Sequence, residues 1–326
     1  MSREGRHDGT EQQLTKRKIL VVGSANIDLV TRVSRIPKPG ETLIGSSFQT
    51  VCGGKGANQA MAAARLGASV SFLGCVGEDG FAGQQRASLG AAGVNLDYLK
   101  VDRDQPTGTA VIEVSDAGEN SIVVVPGANF SLGPDDIYAR REAFEAADVV
   151  LLQLEVPVET VEAALDLARE CGVLSILDIG SDQTITPAAL GKASVISPNR
   201  SEAEHLTGKT VQTHADVLEA AHILLGYGAG HVVMKLGSEG SRYVGPASDQ
   251  HADAFTVSVI DTTAAGDAFT AALGVGWDPA DPGGVLRFAN AVGALATTRV
   301  GAQPSLPERA AVSALLAENP SNASFD

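Results

Sequence analysis

Cysteine is nearly absent. The three in 326 residues, Cys52, Cys75 and Cys171, are an odd number at wide spacings, which excludes a disulfide framework and a zinc site. They read as small buried thiols of a reducing compartment, so the expected location is cytoplasmic. The six histidines, His7, His205, His214, His222, His231 and His251, show no H-E-x-x-H or other ligand spacing, and a G-x-S-x-G elbow is missing. Zinc-hydrolase and serine-hydrolase chemistry fall away. Cations are scarce as well: 24 Lys and Arg against 39 Asp and Glu leave a net charge of −15, a field that repels nucleic acid and anionic membrane. Any anionic ligand must be held by local groups. No apolar run approaches membrane length. Residues 1–17 are polar and charged without the apolar h-region of a signal peptide, and read as a disordered extension. Without a secretory signal, the sequons at Asn129, Asn199 and Asn322 carry no weight.

What is present is aliphatic. The chain is 44% hydrophobic but only 4% aromatic, and its length suffices for a sizeable core in one large domain or two modest ones. Short β-branched runs alternate with alanine-rich helical patterns, the signature of an α/β fold whose mostly parallel sheet is covered on both faces. Strands are expected at Ile19 to Val22, Val70 to Leu73, Val149 to Leu152, Leu174 to Leu177, Ser194 to Ile196 and Val232 to Lys235. Helices are expected at Ala57 to Leu66, Gly80 to Ala92, Thr160 to Glu170, Ala215 to Leu225, Gly266 to Gly274, Val285 to Thr298 and Pro307 to Ala317. Two stretches, 30–51 and about 97–125, are helix-poor and rich in Thr, Val and Ile, with a hairpin turn at Ser115-Asp116-Ala117-Gly118. They form a small β-sheet appendage, suited to a lid that excludes water, an oligomer contact, or both.

The most informative stretch is Asp261-Thr262-Thr263-Ala264-Ala265-Gly266-Asp267, followed at once by an apolar helical run. Ala264, Ala265 and Gly266 can bring the unpaired amides of a helix N-terminus close to a phosphate with no side chain intervening. Asp267 in a first turn could be a capping acid. A carboxylate beside an anion hole also has a chemical use, removing a proton from an attacking hydroxyl while the amides hold the transferring phosphoryl group. A second glycine-rich stretch that opens a helix, Cys52-Gly53-Gly54-Lys55-Gly56-Ala57-Asn58, tips the balance toward phosphoryl transfer to an alcohol. Its glycines allow close backbone approach, and Asn58 offers donors and acceptors to hydroxyls. Neither stretch is a P-loop. Gly208-Lys209-Thr210 has that motif's tail, but Ala203 stands where its first glycine belongs.

From about Lys18 to Leu316 the chain resembles the ribokinase-like (PfkB-type) carbohydrate kinases. The resemblance rests on the order and spacing of Gly23-Ser24-Ala25-Asn26-Ile27-Asp28, Pro39-Gly40-Glu41-Thr42, the Gly53 to Asn58 loop, Gly74 to Asp79, Pro106-Thr107-Gly108, Gln153-Leu154-Glu155, Pro198 to Glu202 and Asp261 to Asp267. It implies a three-layer α/β/α domain over residues 18–326 with a β lid. Gly-Gly-Lys-Gly-Ala-Asn points within the family to kinases of D-ribose or 2-deoxyribose rather than to fructokinase-like or nucleoside-kinase members. The implied reaction is ATP-dependent phosphorylation of the 5-hydroxyl of D-ribose, with Asp267 as base. Another sugar, a nucleoside, or a non-catalytic sensor on the same fold are the alternatives.

The resemblance also implies site residues. Asn26, Asp28, Gly54, Lys55, Asn58 and Glu155, with Asp267, would surround the sugar. Asn199 and Glu202 would organise the phosphates and Mg²⁺, largely through water. Lys235, Gly237, Ser238 and Gly240 match the nucleotide loop, and Asn290 would lie toward the adenine. Asp261, Thr263, Ala296, Arg299, Gly301 and Ser305 match a K⁺ site built mostly from carbonyls, and a homodimer through the lid is expected. Three departures stand out. Lys235 replaces a common Thr, Arg200 a common acid, and Leu177-Asp178-Ile179-Gly180-Ser181-Asp182 a common Asn-Pro-Ala-Pro, which adds an acid near the nucleotide phosphates.

Overall fold

A computed structural model describes residues 16–180 and 184–320. Most of the expected N-terminal extension, and Ser181 and Asp182 of the departing segment, lie outside the described residues. The strands are β1 (Lys18–Val22), β2 (Asn26–Val33), β3 (Ser47–Gly53), β4 (Ser69–Gly77), β5 (Leu99–Asp102), β6 (Gly108–Ser115), β7 (Asn120–Val125), β8 (Val149–Gln153), β9 (Leu174–Asp178), β10 (Val195–Ser197), β11 (His231–Lys235), β12 (Ser241–Val244) and β13 (Asp249–Ala252). The helices are α1 (Lys55–Arg65), α2 (Gly80–Ala91), α3 (Pro134–Tyr138), α4 (Arg141–Glu145), α5 (Val158–Glu170), α6 (Pro187–Leu190), α7 (Arg200–Thr207), α8 (His214–Gly226), α9 (Ala265–Gly276), α10 (Pro282–Ala296) and α11 (Arg309–Glu318).

Nine strands form one sheet in the order β13-β12-β11-β10-β9-β8-β1-β4-β5, parallel except where β12 and β13 join antiparallel at one edge. Its inner strands are buried on both faces, as their continuous apolar sequences demand. In β1, Leu20 and Val22 point to a core shared with α5 and α8, while Ile19 and Val21 point to a second core shared with α1, α9 and α10. β8 divides its side chains in the same way. The result is three layers.

The remaining strands make a separate sheet in the order β3-β2-β6-β7. It starts at Asn26 rather than Val30. Residues 99–102, expected within it, pair in parallel with β4 in the large sheet instead. The hairpin turn lies between β6 and β7, where Gly118 N donates to Ser115 O at 2.9 Å. Asn26 faces Gly53 on one side and Gly108 on the other, so the base of the small sheet meets the large sheet just past the end of β1. Polar segments leave the carboxyl ends of β1, β8, β9, β10 and β11 toward this junction, where ligands of open α/β sheets bind.

Candidate active site

Ala264 caps α9 from the left-handed region (φ 60°), the only residue besides glycine with positive φ among those described. That conformation costs energy in an L-residue and clusters at functional sites. It turns the chain so that Ala265, Gly266 and Asp267 form the first helical turn, with no side chain capping the amides. The Asp267 carboxylate does not fold back on its own helix. It is buried (4% exposed), and its Oδ2 accepts a 2.8 Å hydrogen bond from Asn58 Nδ2 on α1. Its Oδ1 has no hydrogen-bond partner among the described residues and lies 3.6 Å from Lys55 Nζ. Burial pushes this carboxyl up to about 6; Asp178 and Glu155 add to the rise, and Lys55 and Asn58 hold it back.

The residues expected around a sugar converge on the same point. Gly54 (φ 89°) starts α1, and a Cβ there would meet Asn26 N at 2.6 Å, so only glycine lets β3 turn into the helix beneath the small sheet. Asn26 is fixed by Asn129, whose Nδ2 donates to Asn26 Oδ1 at 2.7 Å. Glu155 Oε2 accepts from Ser24 Oγ at 2.6 Å and from Lys55 N at 3.1 Å. Burial, Glu155 and Asp267 raise Asp28 to about 7. Burial opposes the charge on Lys55, but Asp267, Asp178, Glu155 and Glu202 outweigh it and hold the ammonium protonated. Carboxylates that accept and amides that do both suit a polyol.

On the other side of α9 lies a cavity of about 550 Å³. Lys235, Gly237, Ser238, Gly240 and Asn290, all expected at a nucleotide, line it together with Ala265 and Gly266. Phe255, Val257, Val259 and Phe269 supply apolar walls suited to a planar base. Asn290 Nδ2 is engaged with the carbonyls of Ala252 (2.9 Å) and Asp253 (3.1 Å), so it supports the rim rather than offering a free donor. Sequence reasoning missed the 254–259 wall, which has no regular structure and no motif.

Asn199 and Glu202 form a reciprocal cap at the start of α7: Asn199 N and Nδ2 each donate to a Glu202 oxygen at 2.7 Å. Arg200 is accounted for by bonds to Val211 O (3.2 Å), Gln212 O (2.9 Å) and Glu239 (2.7 Å), which tie α7 to the turn after β11. Gly208 ends α7 in the left-handed conformation, so the glycine of the P-loop-like tail is a helix terminator. Asp261 Oδ2 accepts from Gly301 N at 2.8 Å, and its Oδ1 accepts from Thr263 N (2.9 Å) and Oγ1 (2.6 Å). This joins the loop before α9 to the tail after Ala296, the last residue of α10. Arg299 is exposed, while Ser305 is buried with its hydroxyl on Ala302 O.

Asp178 was legible only as a departure, and its surroundings explain it. At the end of β9 it is fully buried, ion-paired through Oδ1 to Lys235 Nζ, bonded through Oδ2 to Gln59 Nε2 at 3.0 Å, and 3.9 Å from Lys55 Nζ. Gln59 Oε1 in turn accepts from Gln153 Nε2 at 2.6 Å. The two departures, Asp178 and Lys235, are thus partners. Burial opposes ionisation of Asp178, but the two lysines outweigh it and keep its pKa below the usual carboxylate range.

A family profile described as pfkB family carbohydrate kinase matches residues 16–309. Ribokinase of Bacillus subtilis is 38% identical over 301 residues, covering 92% of this chain and 99% of its own. Deoxyribokinase of Salmonella typhi is 36% identical over 252 residues, 77% of this chain and 82% of its own. Among solved structures, Arabidopsis thaliana ribokinase complexed with ribose and ATP superposes with a TM-score of 0.85 at 37% identity, covering 92% of this chain and 99% of that one.

Proposed function

The chain belongs to the pfkB family of carbohydrate kinases, and on that footing we propose that it transfers the terminal phosphoryl group of ATP to the 5-hydroxyl of D-ribose, giving ribose 5-phosphate. The observation that carries the reading is the state of Asp267. Asn58 holds one of its carboxylate oxygens, and the other is buried without a hydrogen-bond partner among the described residues, at the mouth of α9. An acceptor in that position serves an incoming hydroxyl, and a pKa near 6 suits a base working at neutral pH. Asp267 takes the hydroxyl proton as oxygen attacks phosphorus, and the amides of Ala264 and Gly266 stabilise the charge on the transferring group; the Ala265 amide, expected to join them, instead donates to Thr262 O at 3.2 Å and holds the turn. Asn26, Asp28, Gly54, Lys55, Asn58 and Glu155 orient the sugar from the base of the small sheet.

The ATP occupies the cavity beside α9, with Lys235, Gly237, Ser238 and Gly240 along one side. Magnesium fits the second sphere here. No group of three or more His, Cys, Asp or Glu able to hold a metal exists among the described residues, and both Glu202 oxygens are engaged with Asn199. Phosphate oxygens and water would therefore supply most of its ligands, with Glu202 behind them; the ion neutralises phosphate charge when bound. A K⁺ ion suits the joined segments 261–263 and 296–305, whose donors are mostly carbonyls, and would stiffen the anion-hole loop. Association of two copies through the small sheet belongs to the same reading. A cytoplasmic location is part of the same proposal; no helix among the described residues is long and apolar enough to cross a membrane.

The test is ADP release with MgATP across D-ribose, 2-deoxyribose, hexoses and nucleosides, in potassium and in choline salts. The highest kcat/KM is expected with D-ribose and a higher rate with K⁺; a preference for a nucleoside would overturn the substrate, and equal rates would remove the K⁺ claim. Asp267→Asn is expected to lower kcat by about 10²–10⁴-fold with little change in sugar affinity.

A further inference from the structure

The pairing of Asp178 with Lys235 is more than a repaired departure. A buried ion pair is weak evidence for stability, because desolvating two charges costs about as much as their attraction returns. This one lies against the turn that opens α9: a Cβ added at Gly266 would come within 3.9 Å of Lys235 Nζ, and Lys235 lines the cavity with Ala265 and Gly266. Lysine is a flexible four-carbon stem with three donors. Here Asp178 takes one donor and fixes the stem, while Gln59 and, behind it, Gln153 fix the carboxylate. Both glutamines are fully buried. Lys55 lies 3.9 Å from the same carboxylate but is closer to Asp267, at 3.6 Å, so Lys235 is the ammonium group left beside the anion-binding turn.

We propose that Lys235 binds the terminal phosphate of the triphosphate and that Asp178 is the positioning residue that aims it there. This rests on the reading of the neighbouring cavity as the ATP site. A terminal-phosphate contact is made by ATP and not by ADP, so the two nucleotides separate this role from a structural one.

The experiment is calorimetric titration of the parent, Lys235→Met, Asp178→Asn and the double variant with MgATP and with MgADP, followed by steady-state kinetics. Lys235→Met is expected to weaken MgATP binding about tenfold or more and MgADP binding by less than about threefold. Asp178→Asn should give the same selective loss, and the double variant should be little worse than Lys235→Met alone, since the residues act as a unit. KM for ribose should stay within about twofold. Equal weakening of both nucleotides, no weakening, or multiplying losses in the double variant would overturn the proposal. If Asp178→Asn does not fold, the ATP-to-ADP comparison in Lys235→Met decides alone. A parent that binds MgATP but does not phosphorylate ribose would count against the proposed reaction and leave the nucleotide comparison intact.

Discussion

Asp267 is asked to be buried and also to ionise, and those demands pull its proton affinity and the stability of the fold in opposite directions. Its folded value, about 6, lies above the ordinary 3.8, so the folded protein holds the proton more tightly than the unfolded chain. The stability this confers is complete below about pH 3.8 and is lost as pH rises through 6. Asp267→Asn should therefore raise the free energy of unfolding at pH 8, by at most about 3 kcal/mol, with a smaller gain at pH 5. Guanidinium denaturation at both pH values measures this; an unstable variant at pH 8 would mean that the carboxylate stabilises the fold through Lys55. In the parent, kcat/KM should climb as the base ionises near pH 6 and level off above it, and a flat profile from pH 5 to 8 would remove Asp267 as the base. This aspartate was legible in the sequence because its anion hole, its helix and its own position are contiguous from Ala264 to Asp267. The Asp178 to Lys235 pair was not legible as a pair. Its members are 57 residues apart, and nothing in either segment names the other.

The start of α1 is where one element is placed by one residue. Gly54→Ala would force a side chain into φ 89° and against the Asn26 amide, displacing the turn that carries Lys55 and Asn58. The expected cost is about 2 kcal/mol or more, with kcat/KM for the sugar down at least about tenfold. Denaturant unfolding with parallel kinetics checks both, and a variant with parental stability and turnover would show that the junction tolerates a Cβ. The long helices and central strands were readable for different reasons: α5 buries an apolar stripe, α1 is an alanine-rich run buried on every side from Gly56 to Ala63, and β1 and β8 each carry four consecutive apolar residues. The weaker strands escaped because they lack such runs. β13, Asp249–Ala252, is largely exposed and polar, and it reaches the sheet only as the antiparallel partner of β12, a strand of four residues. β5, Leu-Lys-Val-Asp, is only four residues long and leaves Val101 exposed, so its neighbours in sequence suggested the wrong sheet.

The order of the nine strands depends on crossovers between segments far apart in the chain, and it could not be read from any local pattern. The existence of two sheets could, because the helix-poor segments interrupt the strand and helix alternation. The small sheet leaves a surface that needs a partner. β7 is an edge strand, and Ile122, Val123, Val124 and Val125 are 47–60% exposed, with Val111 exposed beside Val123 on β6 and Phe48 exposed on the opposite edge strand, β3. An exposed apolar edge of this length invites pairing, and a charge on it is the usual deterrent. A second copy, offering the same small sheet, buries like against like under two-fold symmetry. The parent is therefore expected to sediment as a dimer at micromolar concentration, and Val123→Lys to shift it to monomer by weakening association about tenfold or more. Far-UV circular dichroism of the variant should be unchanged, since β7 touches neither buried core. A monomeric parent would leave the apolar edge without this partner, and a Val123→Lys variant that stays dimeric would place the interface elsewhere on the molecule.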